Sequence, residues 1–217
     1  YYQKAQTDSG PQTFEDALLV PATAAGVVVV TGVATRLIVD GTRVRGVVVR
    51  HDGATREILA THAVLLAASP IRSAHLLQLS GIGPGALLQE MGIPLVHELP
   101  GVGENLQDHL QIRAVFQVDG VTTLNTLANS WWGKARIGLE YLFKRSGPMS
   151  MAPSQLGAFT RSDPGQPHPN LEYHVQPLSL DAFGQPLHRF PAFTASVCNL
   201  NPASRGAVRI RSPHSSD

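Results

Sequence analysis

The chain has 217 residues, of which 43% are hydrophobic and 15% charged, and its formal net charge is +1. That length can bury one sizeable core or two small ones, and the composition is that of globular material rather than of a disordered tail. The near-neutral charge, with no block of like sign, argues against a nucleic-acid partner, and the single Cys198 excludes an internal disulfide. No apolar run reaches the roughly 18 residues of a bilayer span, so no membrane segment is expected in this chain.

Taken in chain order, Val27-Val28-Val29-Val30 is a β-branched run that predicts a short buried strand. Thr35 to Val39 and Val44 to Arg50 predict two further strands joined by Asp40-Gly41, a pair suited to the positive φ angles of a tight hairpin. Asp52-Gly53 predicts a second turn into a strand near Arg56 to Leu59. Ala63 to Ala67 is apolar throughout and predicts a strand covered on both faces.

Ser73 is expected to N-cap a helix that runs to Leu79 and stops at Gly81. A second short helix, Ala86 to Met91, is expected to stop at Gly92, with Pro94 just beyond. Alternation of Ile112, Ala114, Phe116 and Val118 predicts a half-exposed strand. Asn129 to Lys144 predicts a long amphipathic helix with Trp132, Ala135, Leu139, Leu142 and Phe143 on one face. The polar, proline-rich stretch from Ser162 to Pro169 predicts a surface loop, and Leu171 to Val175 and Phe193 to Val197 predict strands.

Several motifs carry a tempting reading beside a plainer one. Gly81, Gly83 and Gly85 form a Gly-x-Gly-x-Gly string, but it leaves a helix, whereas a dinucleotide-binding turn leaves a strand and opens a helix. A helix stop followed by a tight loop is the expectation. Gly101-Val102-Gly103 lacks a third glycine and leads into polar Asn105-Leu106-Gln107-Asp108-His109, which predicts a hydrogen-bonded loop. Asp108 and His109 are adjacent and point apart, which argues against an acid/base pair. The other histidines show no helical pair spacing, so no metal site is expected. No Gly-x-Ser-x-Gly elbow supports serine hydrolysis, and Trp131-Trp132 is read as a helix anchor rather than as an aromatic cage.

Ser69-Pro70-x-x-Ser73-Ala74, Leu76-Leu77 and Ser80-Gly81-Ile82-Gly83-Pro84, read in order, resemble the second signature of the glucose–methanol–choline (GMC) flavin oxidoreductases. A Gly-Ala pair usually stands at Ser69-Pro70, and a proline or serine at Ala74. Gly92-Ile93-Pro94, Leu99-Pro100-Gly101-Val102-Gly103 and Asn105 to His109 follow the family's order and spacing. Phe14 to Ala17 upstream and Pro202-x-Ser204-Arg205-Gly206 downstream also fit. The resemblance is strong over 63–110 and looser over 111–200, and Leu95 to His109 lean towards the choline dehydrogenase branch.

The resemblance implies an α/β chain, α+β overall. It would comprise part of an FAD-binding Rossmann-like domain with a β meander, and part of a substrate domain built on an antiparallel sheet with flanking helices. The implied domains are 1–109 for the FAD-binding part, 110–203 for the substrate domain and 204–217 for the return to the first. The implied activity is oxidation of a small-molecule alcohol with FAD as cofactor, the electron acceptor unspecified. Val33, or Ala34 if the register slips by one, would hold adenine through its backbone, while Ala67, Ala68, Ser69 and Asn105 would lie close to the cofactor. Asn105 to His109 would line the passage to the substrate domain.

The resemblance also implies that the pyrophosphate turn lies before Tyr1 and the catalytic histidine beyond Asp217, so the chain is expected to be an internal fragment. Stable FAD binding and good solubility are not expected of it alone. The rival readings are a lyase of the same fold that keeps FAD and a non-catalytic remnant.

Overall fold

The computed structural model describes residues 5–7, 10–12, 15–152, 154–182 and 184–217. In chain order the strands are β1 (Ala5–Thr7), β2 (Gly10–Gln12), β3 (Val33–Asp40), β4 (Arg43–His51), β5 (Ala54–Leu59), β6 (Ile82–Gly83), β7 (His97–Glu98), β8 (Gln111–Gln117), β9 (Leu156–Thr160), β10 (Leu171–Gln176) and β11 (Ala192–Asn199). The α-helices are α1 (Val20–Ala24), α2 (Ser69–Leu79), α3 (Gly85–Glu90), α4 (Leu124–Asn129) and α5 (Trp131–Lys144).

These elements form two units, one of residues 29–108 with 203–217 and one of residues 1–28 with 109–202.

In the first unit, the meander β3–β4–β5 is antiparallel throughout. Its turns use positive φ at Gly41 (58°) and at Asp52 and Gly53 (47° and 77°), as tight hairpins demand. Leu37 of β3, Leu76 of α2 and Ile82 of β6 share a buried cluster, and Leu79, Leu88, Ile93 and Ile210 form a second one. Gly81 (φ 78°) and Gly92 (φ 70°) end α2 and α3 in the left-handed conformation, as expected.

Helix α2 begins five residues earlier than predicted. Ala68 is the N-cap, and Pro70 occupies the first turn, where its missing N–H costs nothing. Ser73 lies inside the helix, and its Oγ accepts from the Ala68 N–H at 3.2 Å, so it supports the helix start from within.

Two predicted strands are absent. Val27–Val30 and Ala63–Ala67 run without ladder partners, and Val28 is 82% and Leu65 90% exposed. β-branched and apolar composition makes a strand only where a neighbour accepts its backbone bonds, and none does so among the described residues.

His75 on α2 shows a pH-sensitive spot. Burial, and then the Arg72 guanidinium 3.4 Å away, lower its pKa from 6.5. The unfolded chain therefore takes up this proton more readily, so the His75 contribution to stability is intact above pH 6.5 and declines below it. Urea midpoints at pH ~7.5 and ~5.5 should lie closer together in His75→Gln than in the parent chain.

In the second unit the order β8–β11–β10–β9 gives a four-stranded antiparallel sheet. Along β11, Ala192, Thr194, Ser196 and Cys198 are buried, alternating with half-buried Phe193, Ala195 and Val197. Phe116 and Phe193 are cross-strand partners whose rings stack at 5.2 Å.

The predicted 129–144 helix is present as α5, which starts two residues later and follows a separate short helix, α4. Ser130 is extended and caps α5 by accepting the Gly133 N–H at 3.4 Å. The apolar stripe faces outward: Trp132 is 76% exposed, and Leu139, Leu142 and Phe143 are exposed too. The side turned inward is Gly133, with Ala135, Ile137 and Tyr141 half-buried. Trp131 and Trp132 meet edge-to-face at 4.7 Å on the surface, so they do not anchor the helix to the described core. No helix among the described residues is long and apolar enough to cross a membrane.

Candidate functional site

All six residues predicted to lie near a cofactor belong to the first unit. Val33 and Ala34 open β3, which pairs with β4 on one side only, at Arg50 and Val49 respectively. As the edge of the meander, β3 directs alternate backbone N–H and C=O groups outward. Ala67, Ala68 and Ser69 are exposed where the chain enters α2, and Ser69 has φ 68°. Asn105 is exposed with φ 63°, in the short loop after Gly103. Non-glycine residues held at positive φ cost energy and persist only where their surroundings fix them.

Buried Gln78 on α2 fixes those surroundings. Its Nε2 donates to Val102 O (3.3 Å) and Val208 O (2.9 Å), and its Oε1 accepts from Ile210 N–H (2.9 Å). Leu106 and Gly206 exchange backbone bonds of 2.9 and 2.8 Å, and Val208 N–H donates to Gly103 O at 2.7 Å. The Asn105 loop is thereby held to the 206–210 segment and to α2. Ser80 completes the frame, accepting the Leu37 N–H at 2.8 Å and donating to Leu76 O at 2.6 Å, which joins α2 to β3.

Ser80 stands in the Ser80-Gly81-Ile82-Gly83-Pro84 motif without a role being expected of it, and Gln78 stands in none of the motifs. The only available signal was a polar residue inside an apolar helical face, Leu76-Leu77-Gln78-Leu79.

The glycine string does not cradle an anion. Gly81 is the α2 stop, and Gly83 lies in the parallel pair β6–β7. The Gly85 N–H, at the start of α3, already donates to the Glu98 carboxylate at 3.1 Å. The protein's own acid occupies the place a phosphate would take.

The second unit contains two polar constellations that the sequence reading did not assemble. Ser179 Oγ lies 2.9 Å from His188 Nδ1, and His188 Nε2 lies 3.1 Å from Asp181 Oδ1. Ser179 is fully buried and also accepts from Asn125 Nδ2 at 2.8 Å, so it presents no nucleophile to a substrate. This chain of bonds braces a loop. The other constellation is His109, Glu172 and Cys198, with ligand-type atoms all within 4.8 Å of one another. It arises from cross-strand register, which local spacing does not reveal.

A family model described as GMC oxidoreductase matches residues 5–111. The chain is 35% identical over 190 residues to the oxygen-dependent choline dehydrogenase of Burkholderia vietnamiensis (strain G4 / LMG 22486), covering 88% of this chain and 33% of the relative. It thus spans about a third of the length of the curated relatives it matches. Among solved structures, pyridoxine 4-oxidase from Mesorbium loti superposes with a TM-score of 0.71 at 25% identity, over 97% of this chain and 38% of that one. A formate oxidase variant from Aspergillus oryzae RIB40 gives a TM-score of 0.76 at 24% identity, over 83% and 37%, and bears on the fold alone. The matched span of the family model holds every residue of the braced loop-and-helix frame up to Asn105, and the sequence relatives agree with it: the chain belongs to the GMC oxidoreductase family.

Proposed function

We propose that this chain is part of an FAD-dependent oxidoreductase acting on the CH–OH group of a small alcohol, similar to choline dehydrogenase. The observation that carries the proposal is the extended match, at 35% identity over 190 residues, to an oxygen-dependent choline dehydrogenase. Residues 29–108 with 203–217 supply part of the FAD-binding domain, and residues 109–202 supply part of the substrate domain.

The backbone edge of β3 suits the cofactor. An adenine presents a donor and an acceptor side by side, as one outward residue of an edge strand does, and Val33 or Ala34 fills that role. Ser69 and Asn105, both exposed and held at positive φ, border the cofactor from the α2 entrance and the 103–106 loop. Ala68 contributes shape rather than a hydrogen bond, because its N–H is committed to Ser73 Oγ. FAD, held by Val33 or Ala34 and bordered by Ser69 and Asn105, would supply the hydride acceptor for oxidation of the alcohol carbon, and a base would take the hydroxyl proton. No residue of this chain is assigned as that base.

Proline scanning separates Val33 from Ala34. At the residue whose N–H points outward, proline leaves the β3–β4 ladder intact and weakens FAD retention about tenfold, the worth of one backbone hydrogen bond. At the other residue it disrupts the ladder and lowers stability. Equal FAD affinity in two folded variants would remove adenine from this edge.

The activity is tested on the full reading frame that contains this chain, purified and mixed anaerobically with choline and other small alcohols. Bleaching of the flavin absorbance with carbonyl product supports the oxidoreductase. Cleavage of a hydroxynitrile without bleaching would replace it with a lyase.

A further inference from the structure

We propose that His109, Glu172 and Cys198 form a binding site for a zinc-type divalent cation on the antiparallel sheet. The site does not depend on the flavin reading. Its ligands come from three neighbouring places: His109 just before β8, Glu172 on β10, and Cys198 on β11 between them. Cys198 pairs in register with Glu172 on one side and with Gln111 on the other. The sheet therefore fixes their spacing, as a metal site on a rigid scaffold requires.

The distances suit a tetrahedral ion. Zn–S of about 2.3 Å and Zn–O of about 2.0 Å imply a sulfur–oxygen edge of roughly 3.5 Å in a tetrahedron. Cys198 Sγ stands 3.7 Å from Glu172 Oε2, and the three ligand atoms lie within 4.8 Å of one another. The other carboxylate oxygen, Oε1, contacts His174 Nε2 at 3.2 Å, an outer partner that orients the ligand. Cys198 is 4% exposed and His109 is exposed, so the ion would be covered on the sulfur side and open to water at a fourth position.

The donor set decides the class of cation. Thiolate, imidazole and carboxylate together favour zinc or cobalt(II) over magnesium or calcium, which take oxygen ligands. Burial, and then the adjacent Glu172 carboxylate, push the Cys198 thiol up. A divalent cation takes the place of that thiol proton, which passes to buffer, and offsets the repulsion between sulfur and carboxylate.

The test uses the protein of the full reading frame that contains this chain, freed of flavin, reduced and stripped with a chelator, then titrated with cobalt(II). Saturation at one ion per chain is expected, with tetrahedral ligand-field bands and a thiolate-to-cobalt charge-transfer band, both erased by added zinc. Cys198→Ser should abolish the charge-transfer band. His109→Gln and Glu172→Gln should each weaken cobalt at least tenfold, and His174→Gln about tenfold. His168→Gln, in the 162–169 loop, should leave the titration unchanged. Absence of the charge-transfer band in the parent chain overturns the site, whatever the variants do. So does unchanged affinity in folded His109→Gln and Glu172→Gln chains, as judged by circular dichroism.

Discussion

Replacing Gln78 with leucine should destabilise the 29–108/203–217 unit by about 3–5 kcal/mol, although leucine suits the apolar surroundings of α2. The side chain is fully buried and serves three backbone groups at once: Val102 O, Val208 O and Ile210 N–H. Leucine strands all three. Each orphaned buried group costs roughly 1–3 kcal/mol, and the long bond to Val102 O contributes least. Amide exchange is the direct measurement, with Ile210 N–H losing protection first and the urea midpoint falling with it. Unchanged protection at Ile210 would show that the 203–217 segment is held by something other than this amide.

The equivalent prediction for the sheet unit is Asn125→Ala. Asn125 Oδ1 accepts the Ser179 N–H at 2.9 Å, and its Nδ2 donates to Ser179 Oγ at 2.8 Å and to Phe190 O at 3.0 Å. Truncation leaves a buried N–H and a buried carbonyl without partners and opens a void, for a loss of about 3 kcal/mol. Ser179→Ala should cost less, about 1 kcal/mol, because the backbone bond to Asn125 survives. The chain should also lack esterase activity despite its Ser179–His188–Asp181 sequence of contacts. A loss on Ser179→Ala as large as that on Asn125→Ala would move the weight of the brace onto the hydroxyl and His188.

Much of the local architecture was legible in the sequence because it depends on nearest neighbours. Asp40-Gly41 and Asp52-Gly53 define hairpins, Gly81 and Gly92 stop helices, and alternation marks β8 and β11. What depends on distant partners was not. Val27–Val30 and Ala63–Ala67 have strand composition, but composition does not supply a neighbouring ladder. The outward face of α5 shows the same limit, since periodicity reveals that a stripe exists and not what meets it. Strand β9 was missed because Leu156-Gly157-Ala158-Phe159-Thr160 lacks alternation, though it pairs with β10 over its length.

The candidate site divided in the same way. The family resemblance drew attention to Val33, Ala34, Ala67 to Ser69 and Asn105, but the amide that ties the Asn105 loop to the 206–210 segment, Gln78, reads in sequence as an ordinary helix residue. Nor could spacing find His109, Glu172 and Cys198, whose proximity comes from strand register.

The backbone exchange between Leu106 and Gly206 has a consequence for how the chain is threaded. Adjacent residues of an antiparallel bridge lie about 5 Å apart, so the path that leaves after Asp108 and returns at Ala203 starts and ends at neighbouring points. Residues 109–202 are therefore a removable excursion from a continuous β-and-helix frame. Replacing them with a short glycine-containing turn should spare the frame its hydrogen bonds.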